Sequence, residues 1–196
     1  MRIILIGGSG TIGSAVYQRL SEKHEVVRAS RSGSDLTVDM TSTDSIRAMY
    51  EKAGKFDALA CAAGQARFAP LEKLSNEDFS FCLANKLMGQ VNLVRIGLDF
   101  ISDEGSFTLT SGILAQQPMP GSAAISLVNA GVEGFVRAAA LEMSRGIRVN
   151  VVSPPWVQET LEKMGRDPLP GMPAAHVAKA YQKSIEGTDS GKVISP

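Results

Sequence analysis

The sequence predicts a doubly wound α/β domain, a parallel sheet flanked by helices, and three observations carry that prediction. Short apolar runs alternate along the chain with stretches of helix length. The runs are unbroken rather than alternating in polarity, which suits strands covered on both faces, as in a parallel sheet. A glycine-rich turn joins the first run directly to the first helical stretch.

The predicted strands are Ile3 to Ile6, Val26 to Ala29, Leu36 to Val38, Ala58 to Ala62, Phe107 to Leu109, Val149 to Val152 and Val193-Ile194. Helical stretches run over Ile12 to Ser21, Thr43 to Lys52, Asn76 to Phe100, Ser122 to Ser144 and Ala174 to Glu186. Ser75 with Asp78 has the spacing of a capping box, and Gly146 after Arg145 reads as a helix stop. Between the second and third strands only a loop fits, so that crossover lacks a full helix. Elsewhere strand and helix alternate, and right-handed crossovers then place helices on both faces of the sheet.

The 196 residues suit one domain, 1–196, with no linker or repeat inside it. Twenty basic and twenty acidic residues give zero net charge, so no overall field favours nucleic acid. Two cysteines and two histidines support neither a disulfide framework nor a metal site. The first apolar run is four residues long, too short for a signal segment or a membrane span, and a cytoplasmic protein is expected. The helices at 76–100 and 122–144 are more apolar than one buried face requires, which predicts a homo-oligomer joined through them.

Residues 7–13, Gly7-Gly8-Ser9-Gly10-Thr11-Ile12-Gly13, form the turn after the first strand. There Gly7 permits the tight turn, Gly10 lets backbone approach a diphosphate, and Gly13 lets helix and strand pack closely. The helix start at Thr11 and Ile12 supplies amide donors and partial positive charge, so a dinucleotide is the expected ligand. About 20 residues further on stand Ser30, Arg31 and Ser32, where a carboxylate would bind ribose hydroxyls and a cation a 2′-phosphate. No acid is present there and Arg28 adds a second cation, so NADP(H) is favoured, with NAD(H) still possible.

With these features the chain resembles the short-chain dehydrogenase/reductase family over nearly its whole length, which implies a Rossmann-like fold and a nicotinamide cofactor. The glycine loop has the spacing of some branches of that family. Val38-Asp39-Met40-Thr41 is similar to its adenine contact, and Cys61-Ala62-Ala63-Gly64 stands where it has Asn-Ala-Gly. Thr110-Ser111 resembles its catalytic serine, and Pro120-Gly121 follows at the usual distance. Gly146 to Asn150 leads to Val152-Ser153-Pro154, its approach to the nicotinamide, with Trp156, Val157 and Thr160 just beyond. A mobile lid is expected over Glu159 to Pro173.

The resemblance departs at the proton source. The family carries Tyr-x-x-x-Lys after the serine, and flanking anchors assign those positions to Ile125 and Asn129. Its Asn-x-x-Gly on the preceding helix ends here at Gly89, and either Lys86 or Asn85 takes the asparagine's place. Lys86 can then snorkel from a helix surface, or enter the site to orient water or protonate an alkoxide. Ser111 is expected to serve as an oxyanion donor. The resemblance thus implies an NADP(H)-dependent oxidoreductase acting on a small carbonyl or alcohol with altered proton delivery. The rival is a catalytically silent NADP(H)-binding sensor or scaffold.

Overall fold

A computed structural model describes residues 1–196. Strands β1 (Arg2–Ile6), β2 (Glu25–Ser30), β3 (Leu36–Thr37), β4 (Phe56–Cys61), β5 (Ile101–Thr110), β6 (Arg148–Val152) and β7 (Val193–Ile194) form one sheet in the order β3-β2-β1-β4-β5-β6-β7. Every pairing is parallel. The strand order reverses between β1 and β4, so a crevice opens there at the carboxyl ends, as doubly wound sheets require.

The unbroken apolar runs have a direct packing cause. In β1, Ile4 and Ile6 face one hydrophobic cluster and Ile3 and Leu5 face another. The first cluster is covered by α2 (Thr43–Ala53), α4 (Gly89–Gly97) and α5 (Ala123–Ala139), which contribute Tyr50, Leu93 and Val132. The second is covered by α1 (Thr11–Ser21) and α7 (Ala174–Glu186), with Val16, Leu20 and Tyr181 buried on it. Each residue of β1 from Ile3 to Ile6 therefore meets a helix-covered cluster whichever way it points, and the run is apolar throughout.

The expected boundaries need three corrections. The stretch from Asn76 to Phe100 is not one helix. It divides into α3 (Asn76–Cys82), a π-helical segment at Leu83–Met88, and α4. The helix expected over Ser122 to Ser144 ends at Ala139. Beyond it the amides of Leu141 and Glu142 bond only three residues back, to Ala138 and Ala139, and the tightened turn lets Met143 pack on the core. Gly146 is accordingly no helix stop, because Arg145 and Gly146 both have positive φ in the turn into β6. Finally, β5 begins at Ile101, six residues before the apolar run. The segment Ser102 to Gly105 hides this in sequence, being polar and interrupted by a register shift opposite Phe56 and Ala58. The Ser75–Asp78 capping box is present with both reciprocal hydrogen bonds, and no helix follows β2 before β3.

Candidate active site

Two clefts meet at the carboxyl ends of the strands. The first, of about 320 Å³, is lined by Gly7, Ser9 and Gly10 of the glycine turn, Ser30 and Arg31 after β2, Asp39 and Met40, and Ala62, Ala63 and Gly64 after β4. Ten expected cofactor residues thus share one surface, and Gln65 and Asn85 join them. Gly7 adopts φ +80. A Cβ on Gly13 would lie 2.0 Å from the Gly7 carbonyl oxygen, so the turn and α1 touch backbone to backbone. No side chain caps α1 and its first turn carries no acid, so its amino end is open to an anion. A dinucleotide fits this lining: the turn is a cradle that any larger residue would fill.

The other expected cofactor residues are placed differently. Ile12, Pro154 and Val157 line the second cleft, and Gly13 lies beneath the turn. Thr11 accepts a hydrogen bond from Lys163 Nζ at 2.8 Å. Ser32 lies outside both linings, and its carbonyl accepts from the Ser30 hydroxyl at 2.6 Å. Arg31 is exposed with no carboxylate in ion-pair distance. Arg28, the other expected cation, is engaged elsewhere, 3.6 Å from Asp35 and 4.7 Å over the Tyr17 ring. Asp39 accepts from the Thr41 amide and hydroxyl, and these bonds, helped by Arg31, hold its carboxyl below the usual range.

The second cleft, of about 270 Å³, brings together Lys86, Ser111, Ile125, Asn129 and Trp156. Of the two residues counted back from Gly89, Lys86 enters the cleft with Ser111, while Asn85 lines the first cleft and donates to the Phe81 carbonyl at 3.1 Å. Lys86 does not snorkel from a surface. It is 9% exposed, forms no ion pair, and burial pulls its ammonium below the ordinary lysine range. Its placement follows from the π-helical segment, where an extra residue per turn redirects side chains. Gly64 permits this approach, since a Cβ there would stand 3.0 Å from Lys86 Cγ.

Gln90, which sequence reading missed, fastens this arrangement. Its fully buried amide donates to the carbonyls of Lys86 (3.1 Å) and Thr110 (2.9 Å) and accepts from the Thr110 amide at 2.7 Å. The end of β5 and the π-segment are thus tied together next to Ser111. Glu133 was visible only as a charge on an apolar helix. In the fold it is 3% exposed, its Oε1 accepts the Ser111 hydroxyl at 2.8 Å, and its Oε2 accepts from Gln116 Nε2 at 2.5 Å. The Ser111 proton expected to serve an oxyanion is therefore directed away to a carboxylate. A signal existed in the four-residue spacing from Asn129 to Glu133, which places both on one helix face.

Asn129 is 2% exposed, and its Oδ1 has no hydrogen-bond partner, nor does the buried Ser153 hydroxyl. Asn129 lines the second cleft, so its amide oxygen is available there to a polar group of a ligand. Tyr181 and Lys163 line neither cleft. Tyr181 is fully buried under the sheet with its hydroxyl shared with Thr110 Oγ1, and burial raises its pKa. Burial also pushes the Cys61 thiol up to about 11, so it is an inert packing group. The segment expected as a lid is partly ordered: α6 (Gln158–Lys163) opens it, a bridge pairs Val157 with Met172, and Glu159 accepts the Ala174 amide. No helix is long and apolar enough to cross a membrane.

Residues 12–194 match the family described as enoyl-(acyl carrier protein) reductase. A 3-oxoacyl-[acyl-carrier-protein] reductase of Rattus norvegicus is 30% identical over 182 residues, covering 81% of this chain and 76% of that protein. The solved structure of protein lin1944 from Listeria innocua is 45% identical, with TM-score 0.95 over 100% of this chain and 98% of that one. A small-chain dehydrogenase solved in complex with NADPH is 26% identical, with TM-score 0.87 over 100% of this chain and 96% of its own. With the parallel sheet, the glycine turn and the serine at the end of β5, these matches make the chain a member of the short-chain dehydrogenase/reductase family of oxidoreductases.

Proposed function

We propose that the chain is an NADP(H)-dependent oxidoreductase that reduces a small carbonyl compound, or oxidises the matching alcohol, without the tyrosine–lysine pair of its family. The observation that carries this reading is the convergence of Ser111, Lys86 and the unpartnered Asn129 on one small cleft beside the glycine turn. Gly7, Ser9, Gly10, Thr11 and Ile12 hold the diphosphate on the close turn that Gly13 permits, with Ser30 and Arg31 at the ribose phosphate, next to Ser32, and Asp39 and Met40 at the adenine. Ala62, Ala63, Gly64, Pro154 and Val157 line the nicotinamide half. When bound, the nucleotide supplies or accepts a hydride. Lys86 presents positive charge to the carbonyl oxygen, polarising it and holding the alkoxide that develops. Its charge is worth most here because little solvent screens it. Trp156, Ile113, Leu114 and Ile125 give the cleft apolar walls of modest volume, which favour a small, mostly apolar substrate.

Cofactor choice rests on Arg31, the free cation at the end of β2. A charge-assisted contact contributes roughly 1.5–3 kcal/mol, about ten- to hundredfold in affinity. Arg31→Ala is therefore expected to weaken NADPH binding by that factor and leave NADH within about threefold. Titration calorimetry with both nucleotides checks this, and equal losses would refute the 2′-phosphate contact.

The silent sensor or scaffold is supported by the assignment, from flanking motifs, of Ile125 and Asn129 to the positions of the family's tyrosine and lysine. Following NADPH absorbance against a panel of small aldehydes and ketones separates the readings: oxidation supports the enzyme, and binding without turnover decides for the sensor. The same reading places the protein in the cytoplasm, where its two buried, unpaired cysteines suit a reducing compartment. It also joins two copies through the segments 76–100 and 122–144, where Leu83, Met88 and Leu127 are exposed. Sedimentation showing only monomer at micromolar concentration would exclude that contact.

A further inference from the structure

We propose that Glu133 is the proton terminus of the second cleft, acting through Ser111 as a positioning and relay residue; this rests on the oxidoreductase reading above. The geometry is two-sided. Glu133 Oε1 takes the Ser111 hydroxyl proton at 2.8 Å, and Oε2 faces outward to Gln116 at 2.5 Å and to Arg137 at 3.9 Å. Gln116 is exposed, so one buried carboxylate bridges the cleft and the solvent edge. A serine hydroxyl has one proton. With that proton held by Glu133, Ser111 meets the cleft with its lone pairs, and its natural partner is a donor such as a substrate hydroxyl. A carbonyl oxygen must find its donor in Lys86 instead.

The resulting step is balanced. In the oxidative direction the alcohol proton passes to Ser111 Oγ while the Ser111 proton passes to Glu133 Oε1. The hydride leaves the alcohol carbon for the oxidised nicotinamide nucleotide, and the carbon–oxygen bond becomes double. Glu133 then releases its proton to solvent water at the edge where Gln116 and Arg137 lie. In reduction the same proton travels outward from Glu133 through Ser111 to the alkoxide held by Lys86. The cation beside this carboxylate is Arg137 on its own helix, at 3.9 Å, while Lys86 from the π-segment lines the same cleft as Ser111.

The relay requires that Glu133 act as a base toward Ser111 even with no nucleotide present, which gives a test independent of turnover. Methanesulfonyl fluoride, a small sulfonylating probe, forms an oxygen–sulfur bond to Ser111 and releases fluoride as Glu133 accepts the proton. Mass spectrometry of the full-length, ligand-free chain is expected to show one adduct, on Ser111, formed at least tenfold more slowly in Glu133→Gln. Glu133→Asp, which keeps the carboxylate but withdraws it, is expected to label at an intermediate rate, and carries the test should the amide variant not fold. In alcohol oxidation Glu133→Gln is expected to lower kcat by about a hundredfold or more with KM little changed. Absence of the Ser111 adduct, or equal labelling rates in the wild type and both variants, overturns the relay and leaves the oxidoreductase reading standing. A wild-type chain that labels as expected but oxidises no alcohol and reduces no carbonyl removes that reading, and the relay's catalytic role with it.

Discussion

Replacing Lys86 with methionine is expected to lower kcat by about two to four orders of magnitude while NADPH affinity stays within a few-fold. Methionine keeps the apolar stem and much of the volume, so the walls of the cleft persist and only the charge is removed. That charge is 9% exposed, unpaired by any carboxylate, and in the same cleft as Ser111. An ammonium kept in such a place at the cost of its hydration is difficult to explain by packing. The pH dependence follows from the same burial. Because burial lowers the lysine's pKa in the folded protein, activity that needs the ammonium is expected to fall on an alkaline limb below the ordinary lysine range. Stability moves in the opposite sense. Between the lowered folded pKa and the ordinary unfolded one, the unfolded chain binds more protons, so wild-type stability rises with pH in that window. Lys86→Met lacks this rise and is expected to melt at the same temperature as wild type or higher near neutral pH. A variant of normal activity, or one that loses nucleotide binding along with turnover, would contradict the role given to Lys86.

The second large effect is expected at Gly13. A Cβ added there would meet the Gly7 carbonyl oxygen at 2.0 Å and the Gly7 carbonyl carbon at 2.7 Å. Both atoms are backbone, so no side chain can swing aside, and the turn itself must move. Gly13→Ala is expected to cost roughly 1–3 kcal/mol of stability and to displace the amide-rich turn that receives the diphosphate. Denaturant unfolding reads the first effect, and calorimetry with NADPH the second. Retained affinity in the alanine variant would show that the diphosphate does not rest on this turn.

Much of this architecture was legible in sequence because its causes are local. Four aliphatic residues before Gly7 suit a strand covered on both faces, and the glycines after it state where backbone must approach backbone. The capping box at Ser75 and the short crossover before Leu36 are equally local, and the structure holds both. What escaped depends on contacts between distant segments. The polar residues Ser102 to Gly105 of β5 are held by a distant side chain, the Arg145 guanidinium, which binds Asp103 and the carbonyls of Leu98 and Ile101. Gln90 looks like any helical glutamine until the end of β5 is brought against it. Glu133 reads as a solvated charge until the fold seals it against Ser111. The π-segment, which carries both Lys86 and Asn85, has no compositional signature, since one inserted residue leaves the apolar stripe nearly unchanged.

All of these roles depend on a nicotinamide nucleotide occupying the crevice between β1 and β4, and isothermal titration of the wild-type chain with the four pyridine nucleotides tests that most directly. One NADPH per chain is expected, bound more tightly than NADH and accompanied by a rise in melting temperature. Absence of heat with NADPH, NADP⁺, NADH and NAD⁺ alike would contradict it.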